Sequence, residues 1–316
     1  MTSCVLPMIP IEYAAKYRVA ISRPGNGGDK GLPSTIRPKI YNLQILDTTS
    51  SSLMFSALVN ITNPTPYSAS IPYADIHILV NGSLLGHATV RDLDVGPGEN
   101  NGLFVKAVWD PLTLGGTEGK AVGSEFLSQY ISGYNTTLTL QTHNGSIPTL
   151  PGLGRALSRF EVKMPTPSLR SEPAPGDGDD DDPGKEPGKK SPHFIEDATM
   201  HLITSTATFT LLSPLRTSTI YITYINATAY YKEDDVGHID YDLPFAVPPV
   251  DENGNGITTP RLPVDWSLGS VGYDAVRRAL GGTLKLHAEA VVSIMLGKWE
   301  ETVWFKGGSI GAKVRL

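Results

Sequence analysis

Cysteine is almost missing from this chain: its 316 residues contain one, Cys4. A lone thiol cannot close an intrachain disulfide, so the fold has no covalent staple, and cysteine-based zinc sites are excluded with it. Long apolar runs are missing too. No stretch approaches the ~18–20 apolar residues that span a bilayer. Residues 1–21 lack a basic start followed by a clean apolar core, so no signal peptide is evident. Charge is sparse, at 18% of residues with a net of −6. Residues 170–190 hold seven acids and four bases, which is −3 and half of that net charge. The remainder is nearly neutral and offers no surface for phosphates, which excludes nucleic acid as a partner.

The signatures of common chemistries are also absent. There is no Gly-x-Ser-x-Gly elbow, no Gly-x-x-x-x-Gly-Lys loop and no strand-linked Gly-x-Gly-x-x-Gly. The seven histidines, at 77, 87, 143, 193, 201, 238 and 287, do not pair at metal-ligand spacing along the chain. His77 and His287 read as ordinary strand residues. Asp251-Glu252-Asn253-Gly254-Asn255-Gly256 begins like a calcium loop, but its twelfth position is Leu262 where a bidentate Glu belongs. It therefore reads as a plain loop. The sequence implies no catalytic residue, no metal and no cofactor.

What the chain has in quantity is glycine, proline and Asn-x-Ser/Thr. Gly 32 and Pro 25 suit many short strands joined by turns. Five sequons stand at Asn60, Asn81, Asn135, Asn144 and Asn226. Chance gives roughly two in a chain of this Asn, Ser and Thr content. The excess argues for a chain that faces a lumen or the outside; the alternative is a Thr-rich β protein that never uses them. With no signal peptide in view, three expectations stand open. The sequons are unused, the chain is the luminal part of a longer membrane protein, or the true start lies upstream of Met1.

Periodicity organises the rest. Residues 1–33 are irregular. Leu53, Phe55, Ala57, Val59 and Ile61 alternate as a half-buried strand, which puts Asn60 on the exposed side. The strand stops at Asn63-Pro64. Ile76–Val80, Asn81-Gly82 and Ser83–Leu85 form a hairpin, because Asn-Gly tolerates positive φ. A Gly-Pro-Gly turn at 96–98, a strand through Leu103, Val105 and Ala107, a short helix at 119–131 and closing strands at 138–142 and 160–164 complete a first domain, 34–164. Residues 165–192, rich in Pro, Gly and Asp, form a disordered acidic linker. The second domain, 193–316, repeats the first, with 219–228 laid on 74–83 so that Asn226 falls on Asn81, and with a helix at Tyr273–Leu280. Tyr221, Tyr224, Tyr230, Tyr231, Trp299 and Trp304 suit strand faces and a sandwich core.

The strand ending in Leu58-Val59-Asn60-Ile61-Thr62-Asn63-Pro64, the hairpin after it and the Gly-Pro-Gly turn resemble the LEA type 2 (water-stress) domain. Asn63-Pro64 is the most specific match; the second half reads Leu212-Ser213-Pro214-Leu215, keeping Pro and losing Asn. The resemblance implies an all-β chain of two tandem Ig- or fibronectin-like β-sandwiches with short helices, joined by the acidic linker. Tandem copies with sequons and the Gly297-Lys298-Trp299 strand look like the luminal half of a fungal vacuolar-membrane family, some of whose members are labelled pre-rRNA processing proteins. That likeness implies a non-enzymatic luminal scaffold at the vacuolar membrane, with a role in termination of autophagy. Its partners would be proteins or the membrane-anchored remainder of a longer chain. Two alternatives remain: a soluble cytosolic LEA-2 stress-protection protein, and a glycan- or lipid-binding module.

The luminal expectation has a direct test. Endoglycosidase treatment of the natively expressed chain is expected to shift its mobility by several glycans, with Asn81→Gln removing one of them. An unshifted band would make the sequons accidental and favour the cytosolic alternative.

Overall fold

The computed structural model describes residues 38–63, 66–158, 161–166, 194–215, 217–249, 255–267 and 284–315. The segment 1–33, nearly all of 165–192 and the helix expected at Tyr273–Leu280 lie outside the described residues. The first domain holds β1 (Lys39–Thr48), β2 (Leu53–Asn63), β3 (Ala69–Val80), β4 (Ser83–Val95), β5 (Gly98–Trp109), α1 (Pro111–Ile131), β6 (Thr137–Thr142), α2 (Pro151–Leu157) and β7 (Glu161–Pro165). Its strands form one antiparallel sheet in the order β1-β2-β5-β4-β3-β6-β7. The β3–β4 hairpin turns at Asn81-Gly82, with φ of 50° and 84°, as the Asn-Gly pair predicts.

Helix α1 starts eight residues earlier than periodicity suggested and runs for 21 residues. Asp110 caps it, its carboxylate accepting the Thr113 N–H at 3.2 Å, and Pro111 follows where no N–H is needed. Gly116 breaks the helix with φ 64° and turns its longer part back over the first turn. That return needs glycine at 123, where a Cβ would stand 2.8 Å from the Pro111 ring and 3.5 Å from the Trp109 indole. Phe126 then packs on Trp109 with ring centroids 5.4 Å apart.

The second domain holds β8 (Ile195–His201), β9 (Thr206–Leu211), β10 (Ile220–Tyr231), β11 (Asp234–Tyr241), β12 (Phe245–Val247), β13 (Ile257–Thr258), β14 (Leu262–Pro263), β15 (Asp265–Trp266), β16 (Leu284–Leu296) and β17 (Trp299–Arg315). Its long path runs β13-β9-β8-β17-β16-β10-β11-β15, antiparallel except where β17 meets β8. The internal repeat is present but its register differs from the sequence alignment. The hairpin equivalent to β3–β4 is β10–β11, and it turns at Lys232-Glu233, both at positive φ (52° and 76°). Asn226 therefore sits in the middle of β10, paired with Asp240 on one side and Val291 on the other. Lys-Glu carries none of the usual turn chemistry, which is why the alignment stopped six residues early.

Each domain is thus β-rich, with its strands joined in one curled sheet. A shared core binds the two together: Leu53, Trp109 and Phe126 belong to the same buried cluster as Ile222, Val247 and Trp299. At the seam, α1 lies along the part of β17 that β8 leaves unpaired. Ser128 Oγ accepts the Trp304 N–H and Ser132 Oγ accepts the Lys306 N–H, each at 3.0 Å. Ser124 Oγ donates to the Glu301 carboxylate at 2.7 Å, which also accepts the Thr302 N–H at 3.3 Å. Four helical residues rise about 6 Å and two strand residues about 6.7 Å, so serines at every fourth position keep step with the outward N–H groups of a strand. The Trp304 indole N–H bonds Glu125 at 2.8 Å and holds that carboxyl below its usual range. At the other end, Thr48 Oγ1 accepts the Lys298 N–H at 2.9 Å and anchors the β16–β17 turn to β1.

Removing a serine hydroxyl strands a backbone donor. Ser128→Ala is expected to cost about 1–3 kcal/mol in urea unfolding, because Ser128 is 1% exposed, and Ser132→Ala less, because its contact is open to water. Two losses within about 0.5 kcal/mol of zero would show that the serines do not hold the seam.

Candidate functional site: an apolar cavity inside the second sheet

The second sheet curls until a single segment spans its two ends. Leu262 and Pro263 pair with Ala207 and Thr206 of β9; Asp265 and Trp266 pair with His238 and Gly237 of β11. Val264 between them donates to the Ser205 carbonyl at 2.9 Å. Gly237 makes this closure possible, since a Cβ there would lie 2.9 Å from the Trp266 ring and 3.1 Å from Val264.

The curled sheet encloses a cavity of about 220 Å³. Strand β16 faces it with Leu286, Ala288, Ala290, Val292, Ile294 and Leu296, every second residue as the pleat requires. Strand β10 contributes Ile220 and Ile222, then Ile225, Ala227 and Ala229. The switch from even to odd numbers is a bulge between Ile222 and Tyr224, which turns the strand's inward series by one residue. The space itself comes from small side chains placed opposite each other: Ala227 pairs with Ala290 and Ala229 with Ala288. The first domain contributes Ile45, Leu53, Phe55, Leu127, Tyr130 and Ile131 to the wall. No Asp, Glu, Lys, Arg or His lines it among the described residues.

The residues singled out from sequence lie elsewhere. Asn81, Asn135 and Asn144 are exposed on turns and loops, while Asn60 and Asn226 are half-buried in strands. Asn60 Oδ1 also accepts the Gly102 N–H at 2.9 Å, so its side chain is less free than the alternation suggested. Asn63 has a structural role: its amide donates to Tyr67 O at 2.7 Å and Gly96 O at 3.0 Å, tying the end of β2 to the β4–β5 turn. Pro64 lies outside the described residues. In the second domain Ser213 stands where Asn63 does, and its hydroxyl accepts the Leu215 N–H at 3.2 Å. Trp299 is 5% exposed, so it belongs to the core and has no face to offer a sugar. Leu262, the failed twelfth position of the calcium-like loop, is 1% exposed and packs at the closure. Sequence reading missed the cavity because its walls look like ordinary alternating strands; the crossed alanine pairs become visible only with the register.

Leu262→Ala tests the closure. Truncating this buried side chain is expected to cost about 2–5 kcal/mol in thermal or urea unfolding. A cost under about 1 kcal/mol would mean that the segment Leu262–Trp266 does not hold the sheet shut.

Comparison with known families fits this architecture. Residues 36–155 match the family of the Tag1-like fourth LEA-2 like domain. Residues 187–304 match that of the Tag1-like fifth LEA-2 like domain. No curated protein matches the chain. The two matches fall one on each sheet, and the chain therefore carries two LEA-2-like domains in tandem.

Proposed function

We propose that this chain is a non-enzymatic binding module on the luminal side of a fungal vacuolar membrane, working in the termination of autophagy, and that its second domain takes up a hydrocarbon chain. The Tag1-like domain matches support the binding-module part, and the sequons support a luminal setting. The ligand reading rests on the cavity.

An apolar void is costly. Its lining gives up the dispersion contacts that a filled core would make. A fold that keeps four alanines at the centre of two long strands gives up packing that Leu or Val would supply at those positions. An apolar cavity of about 150 Å³ already accepts a benzene-sized guest. This one is larger, and no Asp, Glu, Lys, Arg or His lines it among the described residues. An unbranched acyl segment needs shape and dispersion contact along its length and no polar partner.

The experiment is mass spectrometry of organic extracts from the chain purified under native conditions, beside Ala290→Leu. The wild type is expected to carry a fatty acid or acyl lipid near one per chain. Ala290→Leu should lower that occupancy about tenfold, since the added side chain occupies the guest's space, while unfolding about 1–2 kcal/mol harder than the emptied wild type. Ala227→Val is the milder filling should Ala290→Leu fold poorly. Equal lipid in wild type and variants, or none in either, would contradict the proposal.

A further inference from the structure

Away from the cavity, the outer face of the first sheet gathers side chains that the linear sequence keeps apart. Asp75 and His77 lie two residues apart on β3 and share that face. Strand β6 ends at Thr142, opposite Ile76, and delivers His143 beside them. His143 Nε2 stands 3.2 Å from Asp75 Oδ2. The His77 and His143 rings stack with centroids 4.2 Å apart and planes 16° from parallel. One donor atom from each of the three residues lies within 4.8 Å of the others. We propose that Asp75, His77 and His143 form a binding site for a divalent transition-metal ion, zinc foremost.

Three observations carry this. First, tetrahedral bonds of about 2.0–2.1 Å separate neighbouring ligand atoms by about 3.3 Å, the spacing that Asp75 and His143 already have. The third ligand closes by turning imidazole rings about χ2, a soft torsion. Second, Asp75 Oδ1 is buried and has no hydrogen-bond partner among the described residues. An orphaned carboxylate oxygen is costly to bury, and a cation beside it removes that cost. Third, the loop carrying His143 is held in place. Its N–H donates to Ser146 Oγ at 2.6 Å, Ser146 N–H returns to His143 O at 3.0 Å, and Asp75 N–H bonds Ser146 O at 2.9 Å.

Two imidazoles and one carboxylate favour zinc and its first-row neighbours over calcium or magnesium. His87 is the cross-strand partner of His77 on the same face. The resting ring of His143 also sets a marker for binding. Its Nδ1 accepts the Gly145 N–H at 3.2 Å, so its proton is on Nε2, facing Asp75. An ion on Nε2 replaces that proton, the neutral ring then carries hydrogen on Nδ1, and the Gly145 amide loses its acceptor.

The test is calorimetric titration of zinc chloride into the chelator-treated full chain, with amide NMR alongside. One zinc per chain is expected, with a shift of the Gly145 amide. His77→Gln and His143→Gln should each weaken binding about tenfold or more, and His287→Gln should leave it unchanged. Far-UV circular dichroism and melting without zinc check that each variant folds, and either folded variant is decisive. Absence of binding, or binding equally tight in both variants with Gly145 unmoved, would overturn the site and leave a structural Asp–His pair.

Discussion

The closure of the second sheet on itself is the constraint from which the rest of this molecule follows. Leu262–Trp266 hydrogen-bonds to β9 at one end and β11 at the other, so strands from both ends of the sheet are held to one short segment. A curled sheet of this kind must fill its interior with side chains or leave a space. Here the facing alanines of β10 and β16 leave a space. The seam serines act on the same sheet from outside. The part of β17 that β8 leaves unpaired would otherwise present a row of free N–H groups, the usual template for unwanted strand addition. Helix α1 covers that edge, and its Leu127, Tyr130 and Ile131 line the cavity together with Ile45, Leu53 and Phe55 of the same domain. Covering the edge and completing the cavity therefore depend on the same inter-domain contact.

The two domains divide the labour unequally. The first sheet carries the helix, the Asn63 clasp and the Asp75–His77–His143 cluster on its outer face. The second sheet carries the apolar interior. Their shared core makes the pair one packed unit, although the chain between them reads as an acidic Pro/Gly connection. No helix among the described residues is long and apolar enough to cross a membrane.

Much of the fold was legible in the sequence because its signals are local. The Asn81-Gly82 hairpin and the Gly-Pro-Gly turn follow from backbone sterics at single positions, and the structure repeats them; β2 forms over the expected residues, but Ser56 on its expected outer face is buried and the strand's second half is half-buried on both faces. The all-β class and the tandem LEA-2 character also stood in the residues. What failed to show depends on register or on distance. Lys232-Glu233 turns without turn residues, so the repeat was aligned six positions short and Asn226 was placed on a hairpin tip. The bulge at Thr223 hid the inward face of β10 by switching its parity. His143 meets His77 only because β6 pairs with β3, a partnership across more than sixty residues that spacing rules cannot see.

A hydrocarbon chain held inside the second domain must touch the methyl groups that line it. Methyl NMR of the Ala-, Ile-, Leu- and Val-labelled chain, titrated with a medium-chain fatty acid, tests it most directly. Intermolecular contacts from the acyl chain to the methyls of Ala227, Ala290 and Ile222 are predicted, with the exposed Val291 and Leu243 unaffected. Contacts confined to Val291, Leu243 and other outer-face methyls, or none at saturating ligand, would contradict it.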